Sequence, residues 1–310
     1  MAKCLVLGAN GFIGSHLVDS LISSGHSVRA FDRFSGGQLI KYKPNENIEE
    51  FSGDFLNRDD IVTALKDIEY VFHFISTTTP ATAENDPLID VDTNIRMSII
   101  LFEECVNSKI KKVIFSSTGG AIYGDTTGEP IAESVLPQPI SPYAIGKLTI
   151  EHYLRYFHRK FDLNSLVFRI SNPYGDRQPL HNKQGVIPIF LQHIANDEPI
   201  TVLGDGSMVR DYIYVEDVAN MIVASFETSK EHLYNIGSGY GVTVNELVEA
   251  MKPIVGRPIN IESKEIPATF INCVVLDVSK FQNEFHITPQ LKLTEGIQKT
   301  WDYVLANQKA

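Results

Sequence analysis

The sequence predicts an α/β fold built on a doubly wound parallel sheet, with a smaller α/β region interleaved toward the C-terminus. Three observations lead there. The first half alternates short apolar strands with stretches of helical spacing, the pattern of a parallel sheet covered by helices on both faces. A glycine-rich turn, "LGANGFIG" (7–14), directly follows the first strand. After "NPYG" (172–175) the alternation stops, and Pro, Gly and polar residues become frequent.

The elements follow in order along the chain. "CLVLGA" (4–9) is a short β run, and "GFIGSHLVDSLISSG" (11–25) has helical spacing. "HSVRAFD" (26–32) and "IEEFSGD" (48–54) are the second and third strands, and "DDIVTALKD" (59–67) is a helix. "YVFHFIS" (70–76) is the fourth strand, "DVDTNIRMSIILFEECVNSK" (90–109) one long helix, and "KKVIFSS" (111–117) the fifth strand. "SPYAIGKLTIEHYLRYFHRKF" (141–161) is a further helix, followed by a sixth strand, "NSLVFRIS" (164–171). "PITVLGDG" (199–206) belongs to the second region, whereas "VRDYIYVEDVANMIVASFE" (209–227) reads as a strand and helix that return to the large sheet. The expected division is a nucleotide-binding domain over 1–171, rejoined by 209–235, and a second domain over 172–208 and 236–310.

Bulk properties narrow the function classes. The 310-residue chain carries a net charge of −11, and its longest basic cluster is "KIKK" (109–112). A surface that tracks nucleic-acid phosphates is not expected, so an anionic ligand must be held by a local pocket. The three cysteines, Cys4, Cys105 and Cys273, show no CxxC spacing, and the nine histidines show no HxxxH; no metal site is expected. No apolar run approaches the ~20 residues of a membrane helix, and "MAKCLVLGAN" lacks a signal-peptide core. A cytoplasmic setting without membrane or nucleic-acid partners is the expectation.

Gly8, Gly11 and Gly14 form a GxxGxxG frame after the first strand. Such a turn, opening a helix, lets backbone N–H groups approach a pyrophosphate, here those around Phe12 and Ile13. Asp32 ends the next strand, near the ~20-residue interval of the acidic residue that binds ribose hydroxyls. A carboxylate there repels a 2′-phosphate and favours NAD over NADP, although the adjacent Arg33 leaves NADP open. Asp54, followed by Phe55, ends the third strand and is either an adenine acceptor or a plain turn residue.

Tyr143 and Lys147 stand four places apart, one turn on a helix. Tyrosine is a poor base at its free pKa of about 10. A nearby ammonium and an oxidised nicotinamide would both favour the phenolate, which can take a proton from a sugar hydroxyl as hydride leaves the same carbon. Ser116, Ser117 and Thr118 at the end of the fifth strand offer a hydroxyl to steady the developing oxyanion.

Together these segments resemble an extended short-chain dehydrogenase/reductase of the NAD-dependent nucleotide-sugar epimerase and dehydratase branch. The resemblance runs over most of the chain: GxxGxxG at 8–14, Asp32, "GD" at 53–54, "SSTGGAIYG" at 116–124, "SPYAIGK" at 141–147, "RISNPYGDRQ" at 169–178 and "VRDYIYVEDV" at 209–218. It implies a Rossmann-type domain that holds NAD and a smaller domain that binds a nucleotide sugar. It implies Tyr143 as the acid/base and Lys147 as the holder of the nicotinamide ribose. The hydroxyl partner is Thr118 or, because the loop is one residue longer than usual, Ser117. Asn94 matches the helix asparagine that supports the cofactor region. Asn172 and Arg210 match contacts to the sugar diphosphate; for Arg210 a surface ion pair with Asp211 or Asp217 is the structural alternative. Val186 and Leu203 fall among the substrate-side positions. A homodimer formed by the helices at 90–109 and 141–161 is also implied.

The resemblance also bears on the reaction. Dehydratases of this branch carry an Asp-Glu pair where Gly119 and Gly120 stand, and glycine transfers no protons. The glutamate usual in the decarboxylases is Ala121 here. Two readings remain: a 4-epimerase acting on a UDP-hexose or UDP-N-acetylhexosamine, which Asp32 favours, and a dTDP-linked 4-keto-6-deoxysugar reductase. The family's C-terminal Arg-x-x-Asp falls at Pro267 and Phe270, with Lys264 and Glu265 nearby, and Leu203 replaces the aromatic that stacks on uracil. These departures leave dTDP or another carrier open.

Overall fold

β1 (Lys3–Leu7) to β6 (Ser165–Ile170) form in the sequence order expected: β2 (Ser27–Asp32), β3 (Ile48–Ser52), β4 (Tyr70–His73) and β5 (Lys112–Thr118) lie between them. In this computed structural model the described residues are 1–34, 40–125, 129–179, 185–266 and 271–308, without the side chains of 80 and 81. The chain divides into two compact units. The first comprises Met1–Thr118, Ser141–Arg169 and Ala219–Tyr234; the second comprises Gly119–Ile140, Ile170–Val218 and Asn235–Ala310.

The first unit is organised by a seven-stranded parallel sheet of order β10-β6-β5-β4-β1-β2-β3, where β10 is Leu233–Ile236. β1 pairs in parallel with β2 on one side (Leu7↔Phe31) and with β4 on the other (Leu7↔His73). The strand order therefore reverses at β1, the switch point beyond whose carboxyl end ligands bind in such sheets. Gly8 follows β1 there. The strands are buried on both faces: Leu5, Leu7, Phe31, Val71 and Phe115 pack on one side with Leu101, Phe102, Ile150 and Leu154, and Val6, Ala30, Phe72 and Ile114 are inaccessible on the other. Each fully buried Leu or Phe contributes roughly 1.5–3 kcal/mol relative to exposure.

Helix α1 (Phe12–Ser23) follows β1, and α2 (Arg58–Ala64) follows β3 with Asn57 as its cap, the side chain accepting from Asp59 N. The single helix expected over 90–109 is interrupted. After α3 (Pro80–Asn85) and α4 (Pro87–Asp90), residues Val91–Ile95 form a π-helical turn before α5 (Arg96–Asn107). Such turns are often found at functional sites. Helix α6 (Pro142–Phe161) starts with Ser141 as N-cap and Pro142 at its first position, and ends at Asp162 in the left-handed conformation.

The second unit holds β7 (Asn172–Tyr174), β8 (Ile200–Leu203), β9 (Val209–Tyr214), β11 (Gly241–Thr243), β12 (Ile261–Lys264) and β13 (Cys273–Val274). β9 is the hub of a four-stranded sheet, antiparallel to β11 and parallel to β13 and β7, while β8 and β12 pair with each other. Its core gathers Tyr174, Ile187, Phe190, Leu247, Met251 and Trp301 from β7, α7 (Val186–Ala195), α9 (Val244–Val255) and α11 (Leu293–Asn307).

Two boundaries differ from the expectation. The strand at 209–214 does not rejoin the large sheet, because its edges are taken by β7, β11 and β13; only the segment from Ala219, within α8 (Val215–Ser225), groups with the first unit. Residues 119–140 leave that unit, since Ile131 bridges Leu276 and Tyr123 Oη donates to Asn235 Oδ1 at 2.8 Å. These partners lie far away in sequence, so local spacing does not reveal them.

Candidate active site

The turn after β1 is built by close backbone approaches. Gly8 has φ +83°, and the N–H groups of Gly8 and Ala9 both donate to Phe31 O, at 3.0 and 3.1 Å. A Cβ on Gly14 would lie 2.0 Å from Gly8 O, and one on Gly11 would lie 2.9 Å from the same atom. The glycines are therefore required by the turn itself. Helix α1 begins at Gly11 with no side-chain cap and no acidic residue in its first turn, which leaves its N-terminal N–H groups, at Phe12 and Ile13, to an anion. Asp32 buttresses the turn: Oδ2 accepts from Asn10 N at 3.0 Å and Oδ1 from Arg33 N at 2.8 Å. A glycine cradle, an uncapped helix start and a carboxylate at the end of β2 fit a dinucleotide.

Two of the expected cofactor positions also serve the fold itself. Asp54 Oδ1 accepts from Leu56 N at 2.9 Å, so the side chain is engaged in a turn. Phe55 is 1% exposed and packs its ring against His73, with centroids 5.3 Å apart. Its side chain is spent in the core, and only its main chain remains for a ligand.

The end of β5 and the first turns of α6 hold the candidate acid/base and hydroxyl groups. Lys147 is buried and donates from Nζ to Ser116 O at 2.9 Å. The same Nζ lies 4.9 Å from the Phe115 ring centroid and 5.8 Å from that of Tyr143. Burial lowers the Lys147 pKa to about 8, against the upward pull of Asp90 and Glu151. Tyr143 is pushed up to about 12, first by burial and then by the Asp90 charge. The sequence reading had the ammonium favour the phenolate; in the protein alone burial wins, because the lysine is directed at a carbonyl and dehydration penalises the charged phenolate.

Strand alternation separates the three hydroxyls. Ser116 and Thr118 are half-buried on one face of β5, while Ser117 is buried on the other. Ser117 Oγ donates to Glu151 Oε1 at 2.5 Å, and Arg169 clamps that carboxylate through Nε at 3.1 Å and Nη2 at 2.7 Å. The spacing of the sequence had not singled out Glu151 or the role of Arg169. An acid one turn beyond Lys147 on the same helix was the available signal.

Asn94 braces the loop after β4. Its Oδ1 accepts from Thr77 N at 2.9 Å, and its Nδ2 donates to Thr78 Oγ1 at 2.8 Å and Asp90 Oδ1 at 2.7 Å.

The remaining candidates lie in the second unit. Asn172 Nδ2 donates to Asp211 O at 3.1 Å. Arg210 donates to three carbonyls, Val209 O at 2.8 Å, Asn272 O at 3.2 Å and Ile271 O at 2.5 Å. The carboxylate of Asp211 is taken by Ser238 N and Oγ, both at 2.7 Å, and by Gly239 N and Leu276 N; Asp217 accepts from Leu291 N. Val186 opens α7, and Leu203 ends β8 opposite Lys264; both are half-buried. Lys264 and Glu265 are exposed, while Pro267 and Phe270 lie outside the described residues.

Residues 4–237 match the model of the "NAD dependent epimerase/dehydratase family". The chain belongs to that family. It is similar to solved 4-epimerases over nearly its full length. The UDP-glucose 4-epimerase of Thermotoga maritima, solved with UDP-glucose, is 36% identical with a TM-score of 0.91, covering 97% of this chain and 98% of that one. The UDP-glucose 4-epimerase of Thermus thermophilus, solved with NAD, is 30% identical with a TM-score of 0.90, covering 98% and 99%. The UDP-N-acetylglucosamine 4-epimerase of Methanobrevibacter ruminantium, in complex with UDP-N-acetylmuramic acid, is 32% identical with a TM-score of 0.92, covering 99% of each chain. For this family member the geometry above is a candidate active site with NAD as its cofactor.

Proposed function

We propose that this chain is an NAD-dependent 4-epimerase of UDP-hexoses or UDP-N-acetylhexosamines. The observation that supports it most is the Tyr143–Lys147 pair on α6, with the lysine tied to Ser116 O at the end of β5, beside a glycine turn suited to a dinucleotide. NAD, when bound, accepts hydride from C4 of the sugar and returns it to the opposite face. Gly8, Gly11, Gly14 and the amides of Phe12 and Ile13 would hold its pyrophosphate, Asp32 a ribose, and Lys147 the nicotinamide ribose. Tyr143 takes the proton of the 4-hydroxyl and returns it to the keto oxygen. Thr118, sharing its face with Ser116, donates a hydrogen bond to that oxygen. Asn172, Val186, Leu203 and Arg210 are assigned to the nucleotide sugar.

Gly119 and Gly120 carry no group for water elimination, which argues against a dehydratase. The test is incubation of the purified protein with UDP-glucose, UDP-N-acetylglucosamine and a dTDP-4-keto-6-deoxysugar. Interconversion at C4 without net consumption of cofactor is expected; stoichiometric consumption of NADPH on the keto sugar would establish a reductase instead. Thr118→Ala should lower kcat by about 10-fold or more, the effect of a lost oxyanion donor being up to ~10²–10³. Ser117→Ala should act on stability rather than on kcat; the reverse pattern would exchange their roles.

A cytoplasmic homodimer supplying sugars for a surface polysaccharide completes the reading. No helix among the described residues is long and apolar enough to cross a membrane. Leu88, Ile89, Val91 and Ile145 are exposed at 70%, 39%, 47% and 50% around α4 and α6, an apolar surface that suits a second copy. Light scattering on the same preparation reads the assembly, and a monomer at working concentration would remove that part.

A further inference from the structure

The buried side of the candidate active site contains an acid that the proposed chemistry does not use. Asp90 ends α4 and is 3% exposed. Its Oδ1 accepts from Thr78 Oγ1 at 2.5 Å and from Asn94 Nδ2 at 2.7 Å. Its Oδ2 occupies the space that a side chain at position 146 would need: a Cβ there would fall 1.8 Å from that oxygen. Gly146 immediately precedes Lys147 on α6. A small cavity at this point is lined by Asp90, Asn94, His73, Ser98 and Lys147.

We propose that Asp90 is a positioning residue for the Tyr143–Lys147 pair, its carboxylate docked against Gly146 so that one fixed negative charge sets both the seat of α6 and the field in which phenol and ammonium work. This rests on the reading of Tyr143 and Lys147 as the acid/base pair. The geometry favours a purposeful carboxylate. Burying a charge is costly unless it is compensated, and here two donors hold one oxygen while the other lies against the helix that carries the reactive groups. Among the described residues no ion pair within 4.0 Å neutralises Asp90, so its charge is felt at longer range by both neighbours.

The surrounding charges are few. From α6 the titratable groups facing this region are Tyr143, Lys147 and, beyond the lysine, Glu151, which is paired with Arg169 from β6. From β4 comes His73, hydrogen-bonded through Nε2 to Ser98 at 2.8 Å; burial, reinforced by Lys147, lowers its pKa to about 3, so it is neutral at working pH. Glu84 and Asp86 on the preceding segment, and Asp92 and Arg96 on the following turns, are exposed. Asp90 raises the pKa of both Tyr143 and Lys147. The carboxylate thus holds the phenol protonated while keeping the ammonium charged, with opposite consequences for base strength and for ribose anchoring.

A distinct pH signature follows. Activity rises with pH as Tyr143 loses its proton and falls as Lys147 loses its charge. Asp90→Asn keeps both accepted hydrogen bonds, because the amide oxygen replaces Oδ1, and removes the charge. Both limbs of the kcat profile should then move to lower pH, by about 1 pH unit, with KM little changed. A cofactor-free readout accompanies this: the tyrosinate absorbance that disappears with Tyr143→Phe should titrate at lower pH in Asp90→Asn. Gly146→Ala offers a variant that leaves every charge in place. It should lower kcat in the Asp90 background and do so far less when residue 90 is Ala, a coupling that a double-mutant cycle reads. Unshifted limbs with an unshifted tyrosinate titration would overturn the proposal, as would additive behaviour of the cycle. If Tyr143→Phe instead retains full turnover, it is the acid/base assignment that fails, and the tyrosinate titration still reports on Asp90.

Discussion

Tyr143→Phe is expected to lower kcat by ~10²–10⁴, with the protein folded and its nucleotide content unchanged. The substitution removes one oxygen and keeps the ring, so packing of the half-buried side chain is preserved. What is lost is the group proposed to exchange a proton with the 4-hydroxyl. The pH dependence has a definite sign. In the protein alone the phenol is raised to about 12 by burial and by Asp90, while Lys147 is lowered to about 8, chiefly by burial. At neutral pH the free protein therefore presents a protonated Tyr143 and a mostly charged Lys147. The positive charge of the oxidised cofactor, if held beside the ring, would pull the phenol back down. Wild-type kcat should accordingly rise with pH across the lower part of the range, and the residual activity of Tyr143→Phe should lack that rise. Steady-state rates over a pH series decide it; a variant with wild-type turnover removes Tyr143 from the chemistry.

Glu151→Ala is expected to destabilise the protein by about 3–5 kcal/mol, the cost of breaking a buried ion pair from one side. The Glu151 and Arg169 side chains are 10% and 4% exposed and paired at 2.7 Å, so solvent screens them little. Removing the carboxylate strips a buried guanidinium of its counter-charge and leaves Ser117 Oγ without the acceptor it now has. It also takes away a negative charge that supports the charged form of Lys147. Loss of stability should therefore come with a basic limb of the activity profile shifted to lower pH. Ser117→Ala, which keeps the ion pair, should cost only about 1–2 kcal/mol. Urea denaturation of the three proteins tests this; a Glu151→Ala midpoint equal to wild type would show that the pair contributes nothing net.

The two predictions differ in how far the sequence foretold them. Tyr143 and Lys147 could be read directly, because four residues on a helix is a fixed geometric relation and the apolar spacing of 141–161 sets the helix. The glycine turn was as plain: Gly8, Gly11 and Gly14 sit where a strand ends and a helix begins; close approach to Gly8 O accounts for Gly11 and Gly14, and the positive φ accounts for Gly8. Asp32 fell at the end of β2 because strand length and alternation place it there. Glu151 was different. Its importance depends on Arg169 and Ser117, which reach it from strands β6 and β5, and nothing in the spacing of an acid on a helix announces such partners.

The single helix expected over 90–109 shows the same division. Its apolar periodicity was correct for the segment that became α5, but the π turn at Val91–Ile95 carries Asn94, which is hydrogen-bonded to Thr77 and Thr78 in the loop after β4. The choice between Ser117 and Thr118 also waited for the fold. Period-two alternation puts them on opposite faces, yet which face meets α6 is settled by the packing of that helix. Residues 209–214 read as a strand and are one; their sheet was misassigned because pairing is a contest among edges distant in the chain.

By itself, then, the sequence determined the fold class, the glycine turn after β1 and the one-turn spacing of the proposed Tyr143–Lys147 pair, all relations between residues within a turn or a strand of one another, where backbone geometry converts spacing into position. Only the tertiary structure decided which face of β5 meets α6 and that Asp90 fills the space beside Gly146. Those are relations between groups dozens of residues apart, and they exist only once the core has closed and water has been excluded around the charges.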